Sequence, residues 1–262
     1  MDRPSYSQEE RTEALARLIA QRNLTTFFQP IVDMSNMRAV GFEVLNRPTA
    51  APEFANAADL YRFASETNRM AELDRLCREL GIYRFAEATA ENEKLRTMQV
   101  FLNIHPSVLS APGYHSQETL DMLQEHGLSP HQIVLEITEQ GAIQDYSQFE
   151  ATMSCFNEKG FHIAIDDFGT GYNSLQSIVY VHPQVIKVDR SIVHNIHERE
   201  RQQKLVRIIL QYAREIGALL LAEGVETEAE LRQLKQMGVD LAQGYFFGQP
   251  DTNLLRFHNL IQ

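Results

Sequence analysis

The sequence predicts an α/β fold, a TIM-like (β/α)8 barrel in which one strand is antiparallel to its neighbours. Three observations lead to it: eight short apolar runs, helical stretches between them after the second run, and a length of 262 residues that suits one barrel of about 250 residues. Alternating strands and helices are typical of a mostly parallel sheet. An open doubly wound sheet is the alternative, which is disfavoured because no Gly-rich nucleotide fingerprint follows any strand.

The first element is a helix within residues 1–22. Ser7 is a suitable N-cap, and Glu10, three residues later, completes the pattern of a capping box. The barrel domain is predicted to occupy residues 23–262. This helix has no partner in the count of strands, so the sequence leaves open whether it packs on the barrel or on a separate sensory or partner domain.

The eight apolar runs are the predicted strands. Only the five residues MSNMR separate the first two runs, and a parallel crossover needs about a dozen, so these strands form an antiparallel hairpin. Each later run follows an amphipathic helical stretch, such as AELDRLCRELGIYRFAEATA before the third. The runs are TTFFQPIVD, AVGFEVLN, QVFLNIH, QIVLEIT, HIAIDDF, QVIKVDR, ALLLAEGV and DLAQGYFF.

The composition narrows the class of protein. A formal net charge of -11 argues against binding to a nucleic-acid polymer, which needs a basic face. Cys77 and Cys155 have no metal-site or disulfide spacing, as is typical of a reducing compartment. No run approaches the roughly 18 apolar residues of a membrane span, and the first residues lack a signal-peptide core. We therefore expect a cytoplasmic protein with no membrane segment in this chain.

Polar residues occur late in seven of the eight apolar runs. In barrels of this type, catalytic residues gather at the carboxyl ends of the strands. A single polar residue of this kind is best explained as a strand end that has reached solvent. The same pattern at the ends of seven strands indicates a functional site. The residues are Glu43, Asn103, Glu136, Asp166 with Asp167, Lys187, Glu223 and Gln243.

The chemistry of these side chains points to divalent cations. Carboxylate and amide oxygens suit Mg²⁺ or Mn²⁺ and not zinc. Two cations would neutralise the adjacent Asp166 and Asp167, and cations about 3.5–4 Å apart can stabilise both the attacking and the leaving oxygen of a phosphodiester. Lys187 would either orient the attacking water or serve as a structural counter-ion.

From about residue 20 to its end, the chain resembles the EAL domain, a cyclic di-GMP phosphodiesterase. The resemblance rests on FFQPIVD, GFEVLNR, LNIHP, LEITE, IDDFGTGYNSL, VIKVDR, AEGVET and QGYFFGQP. It implies a TIM-like barrel that binds two Mg²⁺ or Mn²⁺ ions and hydrolyses cyclic di-GMP to linear pGpG. It further implies a homodimer. Ca²⁺ is expected to inhibit, because it is larger and tolerates looser geometry than the site needs, so it should support binding but poor chemistry.

The resemblance also implies roles for individual residues. Lys187 would contact the nucleophilic water, Asp166 would bridge the two metals, and Arg47 would bind a phosphate. Glu139 would anchor the loop DFGTGYNSL, which in the family links the site to a dimer interface. The implied metal ligands are Glu43, Asn103, Glu136, Asp166, Asp167 and Glu223, the last also in the metal–water network. The implied substrate contacts are Gln29, Leu45, Arg47 and Gln243, which also orients groups in the site.

The sequence departs from the family pattern at three places, none of which is a metal donor. Val44 replaces the alanine of the signature tripeptide and should point away from Glu43. Asn46 stands where an aliphatic residue is usual, and Asn173 replaces a common serine.

A catalytically silent cyclic di-GMP receptor is the alternative function, although a receptor could lose donors that are all present here. An aldolase-like barrel is a third possibility, but the acidic cluster would keep Lys187 protonated.

Overall fold

The computed structural model describes residues 6–109, 116–138, 146–169 and 174–261. The strands are β1 (Leu24–Asp33), β2 (Arg38–Pro48), β3 (Gln99–Ile104), β4 (Ile133–Thr138), β5 (His162–Phe168), β6 (Val185–Val188), β7 (Leu219–Ala222) and β8 (Leu241–Gln243). The helices are α1 (Gln8–Gln21), α2 (Ala57–Glu66), α3 (Met70–Thr89), α4 (Glu93–Arg96), α5 (Pro106–Leu109), α6 (Ser116–Glu125), α7 (Tyr146–Glu158), α8 (Ser174–Val181), α9 (Arg190–Val193), α10 (Glu200–Ile216), α11 (Glu228–Met237) and α12 (His258–Ile261).

The strands close into an eight-stranded barrel in chain order, with β1 hydrogen-bonded to both β2 and β8. β1 is antiparallel to both neighbours, and the remaining pairs are parallel. The predicted hairpin and the predicted TIM-like barrel with one reversed strand are therefore confirmed. β1 is the reversed strand because the connection between Asp33 and Arg38 is too short to return the chain for parallel pairing.

An apolar layer fills the barrel interior beneath the polar strand ends. Seven strands contribute to it, through Ile31, Phe101, Val134, Ala164, Val185, Leu221 and Leu241. On β2 the matching position is Gly41, where a Cβ atom would lie 2.5 Å from the carbonyl oxygen of Gln99. Side chains alternate between the faces of a strand, so residues two positions away also point into the barrel. Apart from Asp167, the polar residues singled out in the sequence have this spacing and form the next layer.

The outer face of the barrel packs against the helices, and Val44 belongs to that packing. Val44 is buried among apolar residues such as Phe42 and Leu102. Its neighbour on α3 is Gly81, where a Cβ atom would lie 2.8 Å from Val44 Cγ1. Val44 thus packs on the opposite face from Glu43, and the absence of a side chain on Gly81 accommodates the methyl groups that distinguish valine from alanine.

Helix α1 packs outside the barrel, against α2 and α3. Its buried residues Ala14, Leu15 and Leu18 share an apolar cluster with Phe63 of α2 and Leu73 of α3. The predicted capping box is confirmed: Ser7 Oγ accepts from Glu10 N–H, and Glu10 Oε2 accepts from Ser7 N–H. Helix α1 is therefore an ordered part of the wall that α2 and α3 form beside the barrel.

Candidate metal centre

The ammonium group of Lys187 lies at the centre of the acidic residues. Its Nζ atom is 2.6 Å from Glu136 Oε1 and 2.8 Å from Glu223 Oε1. Asp166 Oδ1 is 2.9 Å away and Glu43 Oε2 is 3.9 Å away. Lys187 is fully buried on β6, where an unpaired charge would be strongly unfavourable. Carboxylates on β2, β4 and β5, and one directly after β7, therefore compensate one buried positive charge.

Asp166 and Asp167 both contribute to the site although they are adjacent on β5. In a regular strand their side chains would point to opposite faces. Here the register between β5 and β6 shifts between Ile165 and Phe168, and Asp167 has a left-handed backbone with φ 56°. Aspartate tolerates this conformation better than most residues, and a bulge re-aims side chains beside active sites. As a result, carboxylate oxygens of Asp166, Asp167 and Glu223 lie within 4.8 Å of one another.

Amide side chains from neighbouring strands orient Glu43. Gln243 Nε2 donates to Glu43 Oε2 and, at 3.0 Å, to Gln29 Oε1. Asn103 Nδ2 lies 3.5 Å from Glu43 Oε1, at the limit of a hydrogen bond. Gln29 Nε2 in turn donates to the carbonyl oxygen of Gly248 at 3.1 Å. Three predicted site residues thus hold the Glu43 carboxylate, directly or through one another.

The loops after β7 and β8 pack backbone against backbone. Val225 N–H donates to the carbonyl oxygen of Gln243, and Phe246 N–H donates to that of Val225, each at 3.0 Å. Gly244 has φ 154°, and a Cβ atom there would lie 2.2 Å from the carbonyl oxygen of Val225. Only glycine permits so close an approach. This contact keeps the ends of β7 and β8, which carry Glu223 and Gln243, side by side.

Burial and like charges favour the protonated form of two carboxyl groups. Burial raises the pKa of Glu223 to about 8, against the opposing effect of Lys187. Burial also raises the pKa of Asp167 to about 6, and the carboxylate of Asp166 adds to the rise. Near neutral pH the Asp167 carboxyl is therefore mostly ionised, whereas Glu223 would ionise fully only if further positive charge entered the site.

The deepest pair of charges is Glu136 and Lys187. Burial and the nearby carboxylate of Glu43 raise the pKa of Glu136 well above its usual value. Burial by itself would lower the pKa of Lys187, but the surrounding carboxylates raise it well above its usual value. Lys187 therefore keeps its proton, which makes it unsuited to act as a nucleophile and argues against a Schiff-base enzyme.

The donor set fits divalent cations. The carboxylates of Glu43, Glu136, Asp166 and Glu223 lie within 3.9 Å of the Lys187 ammonium, and that of Asp167 lies beside those of Asp166 and Glu223. With all five ionised, the site would carry a formal excess of four negative charges over Lys187. Glu136 Oε2 is buried and accepts no hydrogen bond from the described residues. Oxygen donors in this arrangement are what Mg²⁺ and Mn²⁺ require. The structure thus brings the predicted ligands together, while the role of each residue stays a prediction.

A cleft of about 670 Å³ opens beside the acidic cluster. One end is lined by Glu43, Asn103, Asp166 and Asp167, and the end of β2 contributes Leu45 and Arg47, two of the predicted substrate contacts. Helices α2 and α3 form another wall of the cleft, through Tyr61, Arg62, Ser65 and Glu66 of α2 and Met70 of α3. Sequence reasoning missed this wall because these residues form no motif; the only signal was the helical pattern of α2.

Asn46, one of the departures from the family pattern, is fully hydrogen-bonded. Its Oδ1 accepts from Thr26 Oγ1 at 2.7 Å, and its Nδ2 donates to the carbonyl oxygen of Cys77 at 3.1 Å. Arg84 Nη1 donates to Thr26 Oγ1 at 2.8 Å. A buried amide with both groups satisfied is compatible with a well-packed interior. Asn46 therefore ties the end of β2 to β1 and α3.

Two of the sequence predictions lie outside the described residues. Glu139 is the expected anchor of the loop that follows β5, and Asn173 belongs to that loop. The structure therefore does not test the anchoring role of Glu139, which stays a prediction.

The fold and the site together define a class of protein. It is a closed β/α barrel, reversed at its first strand, with an oxygen-donor centre built on the carboxyl ends of its other strands. The sequence profile of the EAL domain matches residues 12–250. The chain belongs to the EAL domain family.

Relatives of known sequence include proteins named for an activity. NbdA of Pseudomonas aeruginosa, a cyclic di-GMP phosphodiesterase, is 29% identical over 244 residues, 91% of this chain and 30% of its own length. PdeI of Escherichia coli K12, a probable cyclic di-GMP phosphodiesterase, is 29% identical over 224 residues, 85% of this chain and 28% of its own length. An uncharacterized protein of Azorhizobium caulinodans is 30% identical over 259 residues, 94% of this chain and 34% of its own length. The chain spans about a third of the length of these curated relatives.

Solved structures of similar fold contain the cyclic dinucleotide. BlrP1 of Klebsiella pneumoniae, in a complex with calcium and cyclic di-GMP, matches with a TM-score of 0.77 and 27% identity, over 87% of this chain and 56% of that one. A standalone EAL protein of Vibrio cholerae O395, in its cyclic di-GMP-bound form, matches with a TM-score of 0.72 and 27% identity, over 87% and 92% of the two chains.

Proposed function

We propose that this chain hydrolyses cyclic di-GMP to linear 5′-pGpG with two Mg²⁺ or Mn²⁺ ions, and so lowers the level of this second messenger in bacterial signalling. The observation that carries the proposal is the ring of carboxylates from several strands around the buried ammonium of Lys187. With all five carboxylates ionised, the formal excess of four negative charges over Lys187 would match two divalent cations. Membership of the EAL family and the relatives named as cyclic di-GMP phosphodiesterases support the choice of substrate.

In this proposal, the residues of the site have different roles. When bound, the cations supply an activated water and neutralise charge on the phosphodiester. Their ligands would be Glu43, Asn103, Glu136, Asp166, Asp167 and Glu223. Lys187 remains an ammonium, so it orients the attacking water as a hydrogen-bond donor. Arg47 binds a phosphate, and Gln29 and Leu45 contact the substrate. Gln243 keeps the carboxylate of Glu43 turned towards its neighbours.

The direct test is a chromatographic assay of the purified chain with cyclic di-GMP and Mg²⁺ or Mn²⁺. We expect pGpG to accumulate, EDTA to abolish turnover, added Mg²⁺ or Mn²⁺ to restore it, and Ca²⁺ to support binding with little product. Full turnover in metal-free buffer would exclude the metal-dependent mechanism. Binding of cyclic di-GMP without product in the presence of either metal would identify the chain as a silent receptor.

The pH dependence of metal binding follows from the raised pKa values. Glu223 and Asp167 have pKa values raised to about 8 and about 6, so the folded protein holds protons on them as the pH falls through this range. A cation must displace those protons, so we expect the apparent affinity for Mn²⁺ to weaken by up to about tenfold per pH unit for each proton displaced. Titration of Mn²⁺ by electron paramagnetic resonance at about pH 8, 7 and 6 measures this change in affinity. A constant affinity would contradict the assignment of these carboxylates as ligands.

Restoring the alanine of the signature tripeptide tests the role of Val44. We expect Val44→Ala to change turnover by less than about tenfold, because Val44 packs away from the carboxylates. It should lower stability by about 1–3 kcal/mol, because the facing Gly81 leaves a cavity. Gly81→Ala should also destabilise the fold by clashing with Val44, and the double variant should recover part of the loss. A change from an inactive to an active chain on Val44→Ala would favour the receptor function.

We further expect the chain to form a homodimer and, as part of a longer protein, to work with a sensory or partner domain. No helix in the described ranges is both long enough and apolar enough to cross a membrane. The proposed site of action is the cytoplasm, where cyclic di-GMP would be the small-molecule partner. Sedimentation of the purified chain would test the dimer directly.

A further inference from the structure

Arg11 links α1 to α2 through three different interactions. Its guanidinium carbon lies 4.3 Å from the ring centroid of Phe63 and 5.2 Å from that of Phe54. Its Nη2 atom donates to Asp59 Oδ1 at 2.9 Å. The Arg11 and Asp59 side chains are largely shielded, at 21% and 15% exposure, so this ion pair is less screened than a surface pair. Arg11 thus forms an ion pair between α1 and the first turn of α2.

Asp59 connects Arg11 to a residue that lines the cleft. Its Oδ1 atom also accepts from Arg62 at 2.5 Å, and its Oδ2 accepts from the backbone N–H of Ala55 at 3.0 Å. Arg62 lines the cleft beside the acidic cluster, together with Ala58 and other residues of α2. One carboxylate therefore joins Arg11 on α1 to a cationic side chain in the cleft wall.

We propose that Arg11 is a positioning residue for substrate binding: it fixes α2, and through Asp59 the guanidinium of Arg62, in the wall of the cleft that receives the cyclic dinucleotide. The inference rests on the proposed function. An anionic ligand enters a site that is rich in carboxylates, so the placement of the cationic groups of its wall controls affinity. The side-chain interactions described for Arg11 are with Phe54, Asp59 and Phe63, and none of these residues is a predicted metal ligand. The contribution of Arg11 is therefore to affinity for the dinucleotide and not to the chemical step.

The test compares Arg11→Ala with a matched control on the same helix. Arg17 also pairs with an acid beside α2, at 3.0 Å from Glu53, but it is half exposed and contacts neither ring. We expect Arg11→Ala to raise KM for cyclic di-GMP, and Kd measured by calorimetry with Ca²⁺, by about five- to tenfold. The kcat and the half-saturating Mn²⁺ concentration should be unchanged. Arg17→Ala should leave all four quantities at wild-type values.

A second variant keeps the inference testable if Arg11→Ala fails to fold. Asp59→Asn keeps an acceptor for the N–H of Ala55 but removes the charge that pairs with both arginines, and it leaves Arg62 with its longer contact to Glu66 at 3.9 Å. It should therefore raise KM as Arg11→Ala does. Equal KM and Kd values in the wild type, Asp59→Asn and Arg17→Ala would overturn the positioning role and leave the proposed function intact. A fall in kcat at unchanged KM would also overturn it. A wild-type chain that neither binds nor hydrolyses cyclic di-GMP would instead overturn the proposed function and the inference that rests on it.

Discussion

Replacing Lys187 with methionine is expected to abolish turnover and to make the stability of the fold depend on divalent cations. Lys187 is fully buried and lies within 2.9 Å of oxygens from Glu136, Asp166 and Glu223. Methionine has a similar length but no charge, so the carboxylates would lose their only compensating cation in the described structure. Removal of one partner from a buried ion pair typically costs about 3–5 kcal/mol.

Thermal unfolding in EDTA and in Mn²⁺ measures this effect. We expect a large fall in Tm for Lys187→Met in EDTA and partial recovery in Mn²⁺, because the cation replaces the missing charge without restoring the group that orients water. Lys204→Met is the matched control, since Lys204 is exposed and pairs with Glu200 at 2.8 Å, one turn earlier on the surface of α10. That control should stay within about 0.5 kcal/mol of the wild type. A Lys187→Met variant with the wild-type Tm in EDTA would show that the cluster needs no internal cation.

Glu43→Ala is expected to lower turnover by about two to three orders of magnitude, the range typical for loss of one preorganised electrostatic group. Glu43 accepts from Gln243, lies 3.9 Å from Lys187 and sits at the rim of the apolar core. Removing it should therefore affect metal binding and chemistry more than folding. Glu43→Gln keeps the shape but removes the charge, and it should be nearly as inactive if Glu43 is a metal ligand.

Steady-state hydrolysis and Mn²⁺ titration together separate the alternatives for Glu43. Both variants should bind Mn²⁺ more weakly and still unfold cooperatively. Glu226→Ala is the control, since Glu226 is an acid close to Glu223 in sequence but pairs with the half-exposed Arg190 at the surface. Wild-type turnover in Glu43→Gln would show that the hydrogen bond from Gln243, and not the charge, is what the site requires.

Much of the fold could be predicted from local sequence because it depends on local physics. The five residues between the first two strands are too few for a crossover, so the hairpin follows from chain length alone. The placement of Glu136 and Lys187 in one layer follows from the alternation of side chains along a strand, since each lies two residues beyond an interior apolar residue. The helix cap at Ser7 depends only on residues within one turn.

Other features required contacts between distant parts of the chain. Strand alternation would send Asp166 and Asp167 to opposite faces, and only the register shift against β6 with the left-handed backbone of Asp167 brings both carboxylates together. The methyl groups of Val44 fit against α3 because Gly81, at the facing position of that helix, has no side chain. No sequence pattern reports either pairing.

The sequence by itself thus determined the order of the strands, the reversed β1, and which strand ends carry oxygen donors, because these follow from chain length and side-chain periodicity. Tertiary structure alone decided that Lys187 is the buried centre of the carboxylates, and that α1 reaches the cleft through Arg11 and Asp59. The physical reason is the same for the Lys187 cluster and for the contact of α1. Charge compensation and packing act between groups that are close in space, and their distance along the chain does not restrict which groups meet.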